Sequence, residues 1–294
     1  MFFAKRIVGE YAMEVLFCTI ASKYRLHQCV ALYHSLKHFM AEAALVVLAV
    51  DEECKKVFDA LKLPGVTVIS AEELEDAELK ELKRQRNASE YCWTLKPVLL
   101  LNLYESYKDI KIFAYLDSDL FFFDSPMRLF KGSKNWSVLF TTHKVNRKAN
   151  GGFVAFMRGR HAYKALKWWK EGCLEWCYYR NDNGRFADQG YLDFMRARFK
   201  GVTYLDLPGA NVATWNYFNS DLVLRDGNIY VGKKRLVFYH FSGLRLKKIS
   251  GSTALYGAEA PCLVCGIYIK ALRAAIFEIE EVDREIAECF YLGL

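Results

Sequence analysis

The chain has 294 residues, of which 53% are hydrophobic, and a formal net charge of +7. This apolar and aromatic content is enough to bury a large core, which excludes an intrinsically disordered protein. The positive charge is spread over short clusters without a long basic stripe or a known reader motif. It therefore argues against nucleic-acid binding and suits phosphorylated small molecules or an anionic membrane surface.

The nine cysteines are odd in number and lie in segments that have the pattern of core strands and helices. This usage is typical of a reducing compartment and predicts a cytoplasmic protein. Cys262 and Cys265 form a single CxxC, and Cys173 and Cys177 are one helical turn apart. No second pair supplies four zinc ligands, so buried apolar cysteine is the favoured interpretation. No apolar run reaches the roughly 18 residues of a membrane span, and the charged N-terminal segment does not fit a signal peptide.

The first third of the chain alternates strand and helix patterns. Strands are predicted over residues 15–20, 44–50 and 66–69, and helices over 25–40 and in the segment that ends near Leu61. This βαβαβ order predicts an α/β fold with a parallel sheet and right-handed crossovers. In such sheets ligands bind beyond the carboxyl ends of the strands.

The rest of the chain is less regular. Helices are predicted over residues 91–107, 163–179 and 186–199, and strands over 111–116, 136–140, 153–157, 222–224, 229–231 and 236–241. Asp226-Gly227 is a hairpin signal. Residues 263–289 have the pattern of one amphipathic helix. We expect one domain over residues 1–250, with a helical tail over 251–294 that packs on the domain or extends from it.

Asp117 and Asp119 follow the apolar strand over 111–116, at the end where a parallel sheet places its chemistry. Two carboxylates that alternate along an extended segment supply the hard oxygen ligands that a divalent ion on a diphosphate needs. Either aspartate alone is also a common way to end a strand. A phosphoaspartyl phosphatase is disfavoured, because Phe121 stands where such enzymes have Thr or Val and more than a hundred residues precede the pair.

Six motifs then follow one another along the chain. They are residues 90–97 (EYCWTLKP), 115–119 (YLDSD), 150–153 (NGGF), 188–192 (DQGYL), 211–216 (NVATWN) and 239–243 (YHFSG). Together they resemble a bacterial group of nucleotide-diphospho-sugar transferases. They are similar, more loosely, to the retaining GT-A glycosyltransferase family of glycogenin and the lipooligosaccharide galactosyltransferases. The resemblance covers roughly residues 15–243 and implies the GT-A fold, a Rossmann-like and mostly parallel mixed sheet flanked by helices.

The resemblance implies a metal site formed by Asp117, Asp119 and His240. An imidazole beside two carboxylates suits Mn²⁺ better than Mg²⁺. A histidine satisfied within an aromatic strand is the alternative for His240. Asp188, which would bind sugar hydroxyls, and Gln189, near the anomeric carbon, are implied catalytic residues, although either is also suited to cap the helix that begins nearby.

The resemblance also implies a set of donor-binding residues. Lys96 and the cations after Gly243 would stabilise the leaving diphosphate. In the family a Lys-Pro-Trp follows that glycine, whereas this chain has other residues there. Trp215 and Asn216 would face the acceptor or the sugar. The full set is Thr19, Ala21, Tyr24, Lys96, Ser118, Asn150, Gly151, Gly152, Trp215, Asn216, Gly243, Arg245 and Lys247.

The implied reaction transfers a glycosyl group from a nucleoside diphosphate sugar, with a UDP-sugar favoured, to a saccharide, glycolipid or other hydroxyl acceptor. Asp188 is the only candidate for the base that inversion requires, and the family resemblance implies retention of configuration. A sugar-nucleotide nucleotidyltransferase is the enzymatic alternative, but residues 19–25 lack its glycine-rich loop. A non-catalytic nucleotide-sugar binding protein is the second alternative to a glycosyltransferase. Net charge and the amphipathic tail, with Ile267, Tyr268, Leu272, Ile276 and Phe277, suggest peripheral contact with the inner membrane face.

Overall fold

The computed structural model describes residues 14–131, 135–216, 222–249, 252–256 and 262–291. In chain order its strands and helices are β1 (Val15–Ala21), α1 (Leu26–Phe39), β2 (Ala44–Ala49), α2 (Glu52–Leu61), β3 (Val66–Ser70), α3 (Ala77–Gln85), α4 (Ala88–Ser106), β4 (Ile112–Leu116), β5 (Leu120–Phe122), β6 (Val138–Thr142), β7 (Ala149–Met157), α5 (Arg160–Glu175), α6 (Gly190–Arg198), β8 (Val202–Tyr204), β9 (Leu222–Arg225), β10 (Asn228–Val231), β11 (Lys234–Arg235), β12 (Phe238–His240), β13 (Arg245–Ile249), β14 (Ser252–Tyr256), α7 (Cys262–Glu280) and α8 (Arg284–Cys289).

The central sheet has seven strands in the order β3-β2-β1-β4-β7-β6-β8. β3, β2, β1 and β4 run parallel, β7 is antiparallel to β4 and β6, and β8 is parallel to β6. Every residue of β1, β2 and β4 is buried, which is the pattern of strands covered on both faces. The predicted mostly parallel α/β sheet is therefore confirmed.

Two hydrophobic clusters cover the faces of this sheet. One contains side chains of α1, α2, β5, β12 and α7, and the other contains side chains of α4, α5 and α6. A short antiparallel pair, β5 with β12, lies in the first cluster and joins Leu120 to His240. This pair brings two segments that are far apart in sequence to the carboxyl end of β4.

Several predicted boundaries are wrong. β7 begins at Ala149, before the predicted start at residue 153, and α6 begins at Gly190 instead of residue 186. α5 covers Arg160–Glu175, so its predicted last turn is not helical. Of the strand predicted over 236–241, only Phe238–His240 forms a strand, β12. α3, β5, β8, β11, β13 and β14 were not predicted.

The tail consists of two helices and not of the single helix predicted. A separate helix, α8, begins after its N-cap residue Asp283, whose side chain accepts a hydrogen bond from the backbone N–H of Ile286. α7 packs on α1. Of the five residues of its predicted membrane-facing side, Tyr268, Leu272 and Ile276 are buried, whereas Ile267 is 38% and Phe277 is 64% exposed. Most of the apolar side of α7 therefore faces the domain. None of the helices in the described ranges has the length and apolarity of a membrane span.

Candidate active site

Asp117 and Asp119 lie directly after β4, where the chain leaves the sheet. The N–H of Asp117 donates to the carbonyl of Gly152 at 2.8 Å, which extends the β4–β7 ladder by one residue. The Tyr115 hydroxyl donates to Asp117 Oδ1 at 3.0 Å. Asp119 is followed at once by β5. Both carboxylates are therefore attached to rigid strands.

His240 reaches the same point from the end of β12. Its Nε2 is 3.1 Å from Asp119 Oδ1 and 3.8 Å from Asp117 Oδ2. One ligand atom from each of the three residues lies within 4.8 Å of the others. The Asp119 Oδ1 atom is buried, and apart from His240 Nε2 no polar group of the described part of the chain hydrogen-bonds to it. Two carboxylates and an imidazole that converge in this way fit a divalent ion.

The ring of His240 is oriented by its neighbours. Nδ1 lies 3.2 Å from Asn211 Oδ1, and the Trp215 ring packs edge-on at 5.2 Å between centroids. Asn211 Oδ1 can accept a hydrogen bond from Nδ1–H, and with a proton on Nδ1 the Nε2 lone pair would be available to a metal ion held by the carboxylates. A Cβ atom on Gly152 would lie 2.6 Å from His240 Cε1, so only glycine fits beside the ring.

The charges of Asp119 and His240 are coupled. Burial alone would raise the pKa of Asp119, but the effect of His240 is larger and lowers the pKa to about 2. Burial lowers the pKa of His240, but Asp119 and Asp117 together raise it above the usual value. The carboxylate of Asp119 therefore stays ionised at neutral pH, as a metal ligand must.

Lys96 is a second charged centre beside the carboxylates. Its Nζ lies 3.0 Å from Asp117 Oδ1 and 3.3 Å from Asp188 Oδ2, and donates to the Gly151 carbonyl at 3.3 Å. Lys96 lies on a helix but is only 3% exposed, so its ammonium group is withdrawn from solvent. Burial lowers its pKa, but the two carboxylates outweigh burial and raise the pKa above its usual range.

The segment 150–152 is part of β7 and not a turn before it. The Gly151 N–H faces Gln189 Oε1 at 3.4 Å, and the Gly152 N–H donates to Asn150 Oδ1 at 3.1 Å. A Cβ on Gly151 would lie 2.6 Å from Asp188 Oδ2. Gln189 precedes α6 but its side chain does not cap it. Asn150, Gly151, Gly152, Asp188 and Gln189 are thus brought together.

Trp215 and Asn216 lie on the far side of His240. Trp215 is half-buried, and Asn216 is buried and donates to the Asn211 carbonyl at 2.8 Å. The Asn216 Oδ1 atom accepts from the N–H of Lys144 at 2.8 Å. Asn216 therefore holds the loop of Asn211, which in turn orients His240.

A cavity of about 1110 Å³ opens beside the carboxylates. Its lining includes the predicted residues Tyr24, Lys96, Asp117, Ser118, Asp119, Gly243 and Arg245. Thr19 and Ala21 are buried within β1 and do not line it, and Lys247 is exposed outside it. The neighbouring residues Ile20 and Ser22 line the cavity instead.

Some residues around the site carried no prediction of their own. Asn211 is part of a quoted motif, but nothing in the sequence pairs it with His240. Arg25 lines the cavity from the turn before α1, and the cluster of cations in that turn is the sequence signal that could have identified it. Phe290, from the tail, lines the cavity and had no sequence signal.

Comparison with known proteins gives two kinds of similarity. No family model matches the chain. The uncharacterized protein YfnF of Bacillus subtilis (strain 168) is 34% identical over 292 residues, which cover 93% of this chain and 96% of YfnF. The uncharacterized protein YfnD of the same strain is 34% identical over 291 residues, 93% of this chain and 94% of YfnD.

Two solved structures share the architecture. The galactosyltransferase LgtC, in complex with donor and acceptor sugar analogs, has a TM-score of 0.54 at 14% identity, covering 88% of this chain and 95% of its own. The glycosyltransferase GlyE of Streptococcus pneumoniae TIGR4 has a TM-score of 0.56 at 11% identity, and the match covers 94% of this chain and 64% of the GlyE chain. The predicted GT-A fold is confirmed by these similarities.

Proposed function

Because the chain belongs to the family of YfnF and YfnD and has the GT-A fold, we propose that it is a metal-dependent glycosyltransferase. It moves a sugar from a nucleoside diphosphate sugar, with a UDP-sugar as the first candidate, to a hydroxyl of a saccharide or similar acceptor. The observation that carries the proposal is the cluster of Asp117, Asp119 and His240, whose two aspartates line a large cavity.

Asp117, Asp119 and His240 would hold the ion, with Mn²⁺ preferred over Mg²⁺ because of the imidazole. A divalent ion bound there supplies positive charge that stabilises the departing diphosphate. Arg245, which lines the cavity, adds a guanidinium suited to phosphate oxygens. This arrangement supports a role for the site in breaking the bond between a sugar and a diphosphate.

The chain's own residues also suit a bound sugar. Lys96 holds the carboxylate of Asp188 in place, and the Gly151 N–H lies beside Gln189 Oε1. Carboxylate and amide groups fixed in this way can accept and donate hydrogen bonds to sugar hydroxyls. We propose that Asp188 and Gln189 contact the transferred sugar and that Asn150 and Trp215 complete its surroundings.

Retention of configuration is the stereochemistry that we propose. An inverting enzyme needs a carboxylate base that takes the acceptor proton. Asp188 is 3% exposed and its carboxylate is engaged by Lys96, so it does not serve as a free base. A proton NMR time course of the product anomer tests this, and a β-linked product from an α-linked donor contradicts it.

The function is tested in two steps. A thermal-shift screen of UDP-, GDP- and dTDP-sugars, each with and without Mn²⁺, identifies the donor through the stabilisation that it gives. Metal-dependent hydrolysis of that donor is then measured. We expect Asp119→Ala to abolish it, and Asp109→Ala, an exposed aspartate before the opposite end of β4, to leave it unchanged. Donor binding without any metal-dependent turnover would instead indicate a binding protein.

A further inference from the structure

The C-terminal helices contact both segments that carry the candidate metal ligands. Tyr268 of α7 is buried, and its ring stacks on Phe241, with centroids 3.8 Å apart and planes 8° apart. The same ring packs against Phe121 at 5.5 Å. Phe241 directly follows His240, and Phe121 follows Asp119 by two residues. Tyr268 therefore packs against both segments that carry the candidate metal ligands.

The end of α8 reaches the cavity itself. Cys289 and Phe290 line it, together with Arg25, His27 and Arg245. Phe290 is 5% exposed, and its ring lies 4.4 Å from that of His27. Burial, with the nearby charges of Arg25 and Arg245, lowers the pKa of His27 to about 3, so the ring is neutral at physiological pH. His27 and Phe290 thus form an uncharged aromatic wall.

Two guanidinium groups lie next to this wall. Within the described ranges, no carboxylate is at ion-pair distance from Arg25 or Arg245; Arg25 donates to Gln28 Oε1 and Arg245 to the Leu244 carbonyl. Burial lowers the pKa of Arg245, and the positive charge of Arg25 lowers it further. Two half-buried like charges repel each other, and an anion bound between them would relieve this repulsion.

We propose that the C-terminal helices close the diphosphate end of the donor cavity, where Phe290 on His27 keeps water from Arg25 and Arg245 and these two arginines bind the diphosphate. This inference rests on the proposed function, because it assigns part of the same donor site. It gives the tail a direct role in donor binding. Low water access strengthens each guanidinium–phosphate contact, since the effective dielectric constant falls.

The experiment measures the binding of inorganic pyrophosphate and of UDP, each with Mn²⁺, by calorimetry on the full chain. Pyrophosphate reports the diphosphate contacts whichever base the donor carries. We expect Phe290→Ala and Arg25→Gln each to weaken pyrophosphate binding about tenfold, as loss of a central aromatic or charged contact does. Phe290→Leu keeps an apolar cover and serves as the conservative variant, which should bind nearly as the wild type does. Phe277→Ala is the matched control, because Phe277 is 64% exposed on the same tail.

The outcomes separate this inference from the proposed function. Wild-type protein that binds neither pyrophosphate nor any nucleotide with Mn²⁺ overturns both. Wild-type binding that Phe290→Ala and Arg25→Gln leave unchanged overturns only the role of the tail. Alkylation of Cys289 provides a second measurement, on the unmutated chain, because bound pyrophosphate should slow the reaction. An alkylation rate that saturating pyrophosphate leaves unchanged would also contradict the inference.

Discussion

Lys96 and Asp188 form an almost fully buried ion pair, with Nζ 3.3 Å from Oδ2. Lys96, on α4, also contacts Asp117, so its one ammonium group balances two carboxylates, one at the end of β4 and one in the segment before α6. Burial raises the pKa of Asp188, and Lys96 opposes that rise. The lysine is thus needed to keep this side of the site both folded and charged.

Removing the lysine charge should destabilise the protein. In Lys96→Met two neighbouring carboxylates lose their shared counter-ion, and breaking a buried pair from one side typically costs about 3–5 kcal/mol of the free energy of unfolding. Urea denaturation measures this loss. Lys96→Met combined with Asp188→Asn should regain part of it, because a neutral amide replaces the buried carboxylate. A double variant as unstable as Lys96→Met would contradict this explanation.

Gly152→Ala should disable the metal site while the fold is kept. The added Cβ would stand 2.6 Å from His240 Cε1 and 2.9 Å from Nδ1, so the imidazole must move away from the carboxylates. We expect Mn²⁺ affinity to fall at least about tenfold, the effect of misplacing a ligand ring. Electron paramagnetic resonance of free Mn²⁺ measures it. Gly159→Ala, where the nearest atom to the new Cβ is 4.0 Å away, is the control and should bind normally.

Asn211→Ala should weaken the site by removing a support of His240. Without the acceptor at 3.2 Å from Nδ1, the ring loses a hydrogen bond that fixes its orientation. Loss of such a supporting hydrogen bond costs about 10- to 100-fold in metal affinity. Asn102→Ala, at an exposed position of α4, provides the control in the same Mn²⁺ titration. Equal affinities of the two variants would show that Asn211 does not position His240.

Much of the fold could be predicted from local patterns. β2 and β4 are apolar runs, and β1 is interrupted by Thr19 alone; burial on both faces accounts for this pattern. α4 starts three residues before the predicted position, because Asn87 and Glu90 form a capping box at its N-terminus. The spacing of these two residues is the sequence signal for the true start. β5 and β8 have only three residues each, too few for a period to appear.

The site was predictable in its residue types but not in its contacts. Asp117 and Asp119 have a local signature, because a strand end and two carboxylates are adjacent in the chain. The partnership of Lys96 with Asp188 joins residues 92 positions apart, and that of Asn211 with His240 depends on the loop held by Asn216. Periodicity reports burial along one element and carries no information about which elements meet. The approach of Phe290 to His27 is likewise a purely tertiary contact.

The affinity for Mn²⁺ should fall as the pH falls. His240 binds a metal ion through Nε2 only when that nitrogen is unprotonated, so protons and Mn²⁺ compete. Burial lowers the pKa of His240, but Asp119 and Asp117 raise it above the usual value, so the loss of affinity should begin at a higher pH than for an ordinary histidine. The nearby His143 would not produce the same pH dependence, because burial and the charge of His240 lower its pKa.

Mn²⁺ titrations between about pH 5.5 and 8.5 test this pH dependence, in the range where histidines change charge. His240→Gln should bind more weakly with a nearly flat profile, because an amide does not titrate; an unchanged pH dependence in that variant would assign the proton to another group.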